Sequence, residues 1–551
     1  MSMLGQHVHS SVEVLNPDPS DVPGVNAILP VCQNCEKLNT AINFLRAELG
    51  YWRNCHQRAL AREALLIREN EELQAKLKLR ERQLFERHSE TAGNNQEQIE
   101  SGAPANSKRK RGQQRGVKGH GRKCHKNLPV VEEFVELAPD QQCCPCCGLP
   151  LSPLGTTQDS EVLEVEVRAY RRKYRRRRYI RTCNCEQLPR IITAPMPPKL
   201  IQKGILGISF WVTLLLGKFL FQRPLSRILT ELGVNHNLNI SPGTVTDGLK
   251  KIAPLFTPLY EAIADRNINQ GHWHADETRW MVFAEIEGKV GPRWYLWVFC
   301  TSDTVVFRLE PSRSSKVVMD HFGDEATGIL SVDRYSAYKA IVKYDRILLA
   351  FCWAHVRRDF LSVFKDRPEH KQWAIDWVKK IGQLYALNKK RLMLLDTPEF
   401  ETAQQNLQQA VDKMAICCDQ QLDQPKLYTA CRKVLESLKR HWSGLVLFVA
   451  HPQVPMDNNR AERQLRTPVV GRKNYYGAGA LWSANLTAML FSLFQTLDLW
   501  NINPRLWLSQ YLLACAKNQC SPPADAKNFL PWNMAPEKLD QLRISEPIDT
   551  S

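Results

Sequence analysis

Between residues 271 and 352 the chain reads as strand after strand, and this stretch limits the available folds more than any other. Segments 273–284, 294–301 and 305–309 are rich in Trp, Val, Phe and Tyr, with a Gly- and Pro-containing turn at 287–292. Two shorter apolar runs follow at 328–332 and 347–352, separated by helical stretches. Three strands in succession followed by alternating strand and helix predict a mixed sheet. Acids sit at two telling places in it. Asp276 lies inside the first strand, in HWHADETRW, and Asp333 directly follows the fourth, in GILSVDRYSAY. Ends of adjacent strands converge in such a sheet, so the two carboxylates can share a metal ion. Glu277 should face the opposite side of a regular strand, which makes it the weaker ligand candidate.

Beyond the strands, 353–450 is helical in pattern. Trp373, Trp377, Ile381 and Leu384 form one apolar stripe, and Leu407, Ala410, Val411 and Met414 another. Then comes 457–479, DNNRAERQLRTPVVGRKNYYGAG. One acid, Glu462, lies there in a field of Arg460, Arg463, Arg466, Arg472 and Lys473. Asp457, Asn458 or Asn459 can cap a helix start, and Pro468 is expected to limit how far that helix runs. A carboxylate on the first turns beside several guanidiniums suits a divalent metal held against phosphate, although a solvated helix with ordinary ion pairs has the same composition. The fold expected is α/β: a mixed sheet of the ribonuclease-H type over 269–355 and 451–480, with 356–450 an all-α insertion and 481–551 a C-terminal helical segment.

The 551 residues exceed what one core accommodates. Residues 1–30 are aperiodic and read as a disordered arm. Over 31–90, Leu38, Leu45, Trp52, Ala59, Leu66 and Leu73 fall seven apart, with Ile42, Leu49, His56, Glu63, Asn70, Leu77 and Leu84 on the second seam. That is a coiled coil, and Asn70 on the seam favours a parallel dimer; a helix packed on its own chain is the alternative. Residues 91–125 form a basic linker containing Arg109, Lys110 and Arg111. The region 126–195 contains Cys144-x-x-Cys147-Gly148, a zinc-knuckle turn that Cys183 and Cys185 could complete as a zinc-ribbon-like module. The spacing of that second pair is irregular, Cys124 with His125 could substitute, and ordinary reduced thiols are the alternative. Within it Arg175, Arg176 and Arg177 belong to a tract of nine positive charges. With the eight of 108–123, this tract equals the whole net charge of +17. Charge so concentrated marks a surface that grips nucleic acid phosphates. The helical domain 196–268 holds a helix ending near Gly233 and another opening at Ser241-Pro242, which resembles a helix-turn-helix. Its segment 205–221 is short for a membrane span and contains Lys218, so a buried helix is expected instead. With no export signal at the start and 17 Cys, the residues suggest thiols and metal ligands in the cytoplasm.

Asp276, Asp333 and Glu462 thus form the pattern of an acid on strand one, an acid after strand four and an acid on a later helix. Three carboxylates suit a pair of Mg²⁺ ions acting on phosphorus. With HADETRW, SVDRYSAY, CWAHVRRDF, MDNNRAERQLRTPVVGRKNYYGAG and FSLFQTLDLWNINPRLWLSQYLL, the chain resembles the bacterial insertion sequence 66 family of DDE transposases over roughly 31–517. The resemblance implies an enzyme that cleaves the ends of its mobile element and joins the 3′ ends to target DNA, with Asp276, Asp333 and Glu462 as catalytic residues. It implies two Mg²⁺, replaceable by Mn²⁺, and Zn²⁺ at the cysteines. Cys352 and His355 match a Cys-x-x-His signature, first of all structural. Arg357, Arg358, Arg463, Arg466, Arg472 and Lys473 would contact DNA. The implied partners are double-stranded DNA, further copies of the chain through the coil, and small accessory proteins of the element; no membrane is implied. A structure-specific nuclease on the same fold and an inert dimeric DNA-binding regulator are the competing readings.

Overall fold

The computed structural model describes residues 33–85, 167–180, 191–344 and 346–544, with scattered positions between 130 and 150. The chain divides into two units, Met1–Leu128 and Pro129–Ser551. In the first, α1 (Gln33–Phe85) is one uninterrupted helix of 53 residues. Its apolar side chains Leu38, Leu45, Leu49, Trp52 and Leu66 are exposed, Trp52 by 64%.

In the second unit a short hairpin, β1 (Arg178–Ile180) with β2 (Ile191–Thr193), precedes the helices. The segment singled out at 205–221 becomes α2 (Ile208–Leu215) and a π-helical turn, Leu216–Leu220. Trp211, Val212, Leu214, Leu215, Leu216 and Phe219 are buried there, as expected of a core helix. Among the described residues no helix is long and apolar enough to cross a membrane. The next helix, α3 (Leu225–His236), runs past Gly233 and ends at Asn237, whose left-handed backbone (φ 49°) terminates it. α4 (Pro242–Ile252) starts where expected, with the Ser241 hydroxyl accepting the Thr244 N–H at 3.2 Å. Val245, Leu249 and Ile252 bury its apolar face, and α5 (Thr257–Ile268) leads into the sheet.

The main sheet has the order β5-β4-β3-β6-β7. β3 (His272–Val282), β4 (Arg293–Cys300) and β5 (Val305–Glu310) are antiparallel. β6 (Gly328–Val332) and β7 (Ile347–Phe351) continue it in parallel on the other side of β3. Helices α6 (Ser315–Phe322) and α7 (Ser336–Lys339) occupy the two crossovers. All five strands lie within two residues of their expected bounds. β5 is an edge strand, and its outward N–H groups are taken by α15 (Leu481–Leu499). The Ser492 hydroxyl accepts from Phe307 at 2.8 Å and Thr496 Oγ1 from Val305 at 3.0 Å.

The stretch after β7 is helical as expected: α8 (Trp353–Asp366), α9 (Lys371–Met393), α10 (Phe400–Leu422), α11 (Thr429–Arg440) and two short turns, α12 (Trp442–Leu445) and α13 (Leu447–Ala450). Trp377, Ile381, Leu384, Leu407, Val411 and Met414 form its separate core, on the two stripes seen in the sequence.

The expectation for Pro468 was wrong. α14 (Asn459–Tyr475) runs straight through it for 17 residues. A proline inside a helix orphans the carbonyl four residues earlier. Here that carbonyl, on Gln464, accepts the Gln495 side-chain amide from α15 at 3.0 Å. A tertiary partner that local sequence cannot show thus relieves the lost hydrogen bond. Residues Gly477–Ala478 form β8, which pairs with the far end of β3 and fixes how the α14 end meets the sheet. α16 (Pro504–Lys517), capped by Asn503, closes the core.

Candidate active site

β3 and β6 run in parallel with His274 opposite Ser331. Two residues further along each strand direction stand Asp276 and Asp333, so both carboxylates leave the sheet at the same level and on the face shared by His274. Asp276 Oδ1 accepts the Glu277 N–H at 2.9 Å, and Asp333 Oδ1 accepts the Tyr335 N–H at 2.9 Å. Glu462 approaches from the first turn of α14.

Asp276 carries the charge of its neighbours. Burial first, then Glu277, Asp333 and Glu462, push the Asp276 carboxyl up to about 8. Such a group is half-protonated only well above neutrality, because one more negative charge has no local compensation. Glu277 is the contrasting case. Its side chain is only 1% exposed, yet it receives Arg313 Nε at 2.7 Å and the Tyr338 hydroxyl. Burial raises it and those two donors work against the rise. It is therefore an internally paired carboxylate.

Three features hold the cluster in shape. Asn458, at the N-terminus of α14, is 1% exposed. It does not cap its own helix with its side chain. Instead its Nδ2 donates to the Ala275 carbonyl at 2.7 Å, its Oδ1 pairs with His274 Nδ1 at 3.0 Å, and its N–H points at Cys352 Sγ at 3.3 Å. One side chain and its peptide thus tie the Asp276 strand, the start of α8 and the Glu462 helix together. Cys352 precedes α8, and its sulfur also receives the N–H groups of Ala354 and His355. The third feature is the pair His272 and His274, with ring centroids 4.7 Å apart. Burial, with Arg460 adding to it, lowers them to about 4 and about 3, so both are neutral near pH 7. They supply shape and hydrogen bonds at the base of the acid cluster without neutralising it. Sequence reasoning passed over Asn458 as one of three possible caps and did not single out the histidines. The alternation His272, His274, Asp276 along one face was the available signal.

Glu462 rests against α8. Arg358 Nη2 lies 3.1 Å from its Oε1, and His355 Nε2 lies 4.0 Å from the same oxygen. Burial lowers His355, and so does Arg358, so its ring is also neutral. The remaining expected contact residues divide by environment. Arg357, Arg463, Arg466 and Lys473 are exposed, whereas Arg472 is half-buried and donates to Thr278 Oγ1 at 2.8 Å and to the Arg279 carbonyl at 2.6 Å. Arg175, Arg176 and Arg177 lie exposed on the extended strip before β1. Arg109, Lys110, Arg111, Cys144, Cys147, Cys183 and Cys185 lie outside the described residues.

Residues 203–486 match the model of the transposase IS66 family, and the chain belongs to that family. The match spans every residue of the acid cluster. Curated relatives include the uncharacterized protein y4jD of Sinorhizobium fredii (strain NBRC 101917 / NGR234), 24% identical over 437 residues that cover 76% of this chain and 82% of the relative. The uncharacterized protein y4hP of the same organism is 23% identical over 430 residues, covering 73% of this chain and 75% of its own length.

Proposed function

We propose that this chain is a DDE transposase with a ribonuclease-H-like core, cutting the ends of its element and joining the 3′ ends to target DNA. What supports this reading is that Asp333 and Glu462 both add to the rise of the Asp276 carboxyl, which burial first and Glu277 next push up to about 8. A set of carboxylate oxygens with unbalanced charge fits hard divalent cations, Mg²⁺ first and Mn²⁺ after it. Bound there, a pair of such ions would activate the attacking oxygen and stabilise the leaving one.

The chain's own groups then have defined tasks. Asp276 must release its proton for its carboxylate to ligate. Glu462 must leave Arg358, which frees that guanidinium for a phosphate oxygen. Arg357, Arg463, Arg466 and Lys473 are exposed and would hold the DNA backbone, together with the basic tracts at Arg109–Arg111 and Arg175–Arg177. The neutral His272–His274 pair and Asn458 keep the strand end rigid. Apolar heptad positions exposed along α1 support assembly through a coiled coil. The cysteines at 144, 147, 183 and 185 would hold Zn²⁺, and the protein would work in the cytoplasm, with accessory proteins where its element encodes them.

The test is incubation of the purified protein with its element's flanking DNA ends and Mg²⁺, mapping nicks and joined products. Asp333→Asn should abolish both while leaving end binding nearly unchanged. Undiminished cleavage by that variant would sink the assignment.

A further inference from the structure

Beside the three-acid cluster lies a second set of donors built from different chemistry. Cys352 Sγ, a ring nitrogen of His355 and a carboxylate oxygen of Glu462 lie within 4.8 Å of one another. Ligand atoms around a tetrahedral zinc ion sit roughly 3.3–3.8 Å apart, so small side-chain rotations close the set. Two details point to a cation. Cys352 Sγ accepts the Asn458 N–H at 3.3 Å, and the N–H groups of Asn458, His355 and Ala354 work against the burial that raises its thiol. His355 Nδ1 is buried without a hydrogen-bond partner, while Nε2 faces Arg358 at 3.2 Å. One ring nitrogen of His355 is thus without a partner.

We propose that Cys352, His355 and Glu462 bind a thiophilic divalent ion such as Zn²⁺ or Co²⁺, and that an ion held there withdraws Glu462 from the acid cluster. Sulfur and imidazole select such an ion over Mg²⁺, which prefers oxygen ligands in octahedral geometry. Arg358 is the resident competitor. Its guanidinium, more than half exposed, currently occupies the Glu462 oxygen and must swing aside for the ion to enter. The ion site stands on the residues alone. The withdrawal of Glu462 rests on the transposase reading above, and makes soft-metal binding and Mg²⁺-dependent cleavage compete for one carboxylate.

The test is a Co²⁺ titration of the full-length, DNA-free protein, following the thiolate-to-cobalt charge-transfer absorption. Other cysteines contribute a common background, so the quantity read is the difference between wild type and variant. Cys352→Ser should remove one cobalt equivalent of thiolate absorption per chain. His355→Ala and Glu462→Gln should each weaken the same band's affinity at least ~10-fold, and Arg358→Gln should strengthen it. Asp276→Asn and Asp333→Asn should leave it in place. Identical titrations of wild type, Cys352→Ser and His355→Ala would overturn the site; His355→Ala serves if the serine variant does not fold. For the competition, cleavage with Mg²⁺ is compared with and without one equivalent of Zn²⁺. Inhibition confined to proteins that keep Cys352 and His355 supports it, and equal inhibition in Cys352→Ser refutes it. If no protein cleaves even without zinc, the transposase reading fails while the cobalt result still decides the site.

Discussion

Replacing Asp276 by Asn should make the metal-free protein more stable relative to wild type as pH rises. In the folded chain the carboxyl is pushed from an ordinary 3.8 to about 8, by burial first and by Glu277, Asp333 and Glu462 after it. At about 1.4 kcal/mol per pH unit, the folded protein disfavours ionised Asp276 by on the order of 6 kcal/mol. The direction follows from proton counting. Between the two values the native state holds a proton that the unfolded state has lost, so stability falls with rising pH. It is highest below about 4, declines through the neutral range and levels off above about 8. Asn cannot ionise, and its Oδ1 can still accept the Glu277 N–H that Asp276 accepts now. The gap between variant and wild type should therefore widen by about 4 kcal/mol between pH 5 and pH 8. Any constant offset from the substitution cancels in that comparison. The assay is urea unfolding with chelator present, following tryptophan fluorescence, since Trp273, Trp280, Trp294 and Trp297 all lie in the core around β3 and β4. Mg²⁺ should then stabilise wild type more at pH 8 than at pH 6, and the variant far less at either. A gap that stays flat from pH 5 to pH 9 would show that Asp276 carries no such charge burden, and with it would go the argument for a cation.

Asn458→Ala should destabilise the core by ~2–4 kcal/mol, from two lost side-chain hydrogen bonds and a stranded Ala275 carbonyl, and should slow cleavage more than it weakens DNA binding; intact cleavage would refute its positioning role. Gly477→Ala should lower the unfolding midpoint by several degrees, because a Cβ there would lie 1.9 Å from the Met281 carbonyl oxygen and force β8 off β3; differential scanning calorimetry reads this directly. Arg391 is fully buried in the helical insertion and donates to the Val449 and Phe448 carbonyls at 2.8 and 2.9 Å. Arg391→Ala should cost ~2–3 kcal/mol by leaving the Phe448 carbonyl without its donor and Val449 with Gln404 alone, seen as faster hydrogen exchange across α13.

Sequence carried the strands well because each is a contiguous apolar run whose composition and bounding turns are local properties. The placement of Asp276 and Asp333 followed from the same source, since one register between two parallel strands decides both. What sequence could not supply was the long-range partner. Nothing near Pro468 announces that Gln495 will take the orphaned Gln464 carbonyl, and so α14 was expected to end early. Asn458 carried an ambiguous signal for a similar reason: at a helix start Asn usually caps, and only the packed structure shows its amide spent on Ala275 and His274. The end of α3 was misplaced at Gly233 because the left-handed residue that terminates it is Asn237, a less obvious stop than glycine.

The charge arrangement of the site also says what state it rests in. Of the four acids around the middle of β3, the two glutamates are answered by guanidiniums, Glu277 by Arg313 and Glu462 by Arg358. Among the described residues, the hydrogen bonds to the two aspartates come from backbone N–H groups, and the nearby histidines are neutral. The two ion pairs are not equivalent. Arg313 and Tyr338 clasp a Glu277 side chain that is almost wholly covered, whereas Arg358 reaches Glu462 from the exposed face of α8. Water screens the second pair and a phosphate can outbid it; the first has no such competitor. DNA arriving at α8 would therefore remove the counter-charge of Glu462 just as its own phosphates add negative charge to the cluster. Cations would then be drawn in most strongly when substrate is bound, so that ligation of Glu462 and capture of DNA by Arg358 favour each other. A protein in which Arg358→Ala tightened DNA-free binding of Mg²⁺ but removed its enhancement by DNA would display that coupling directly.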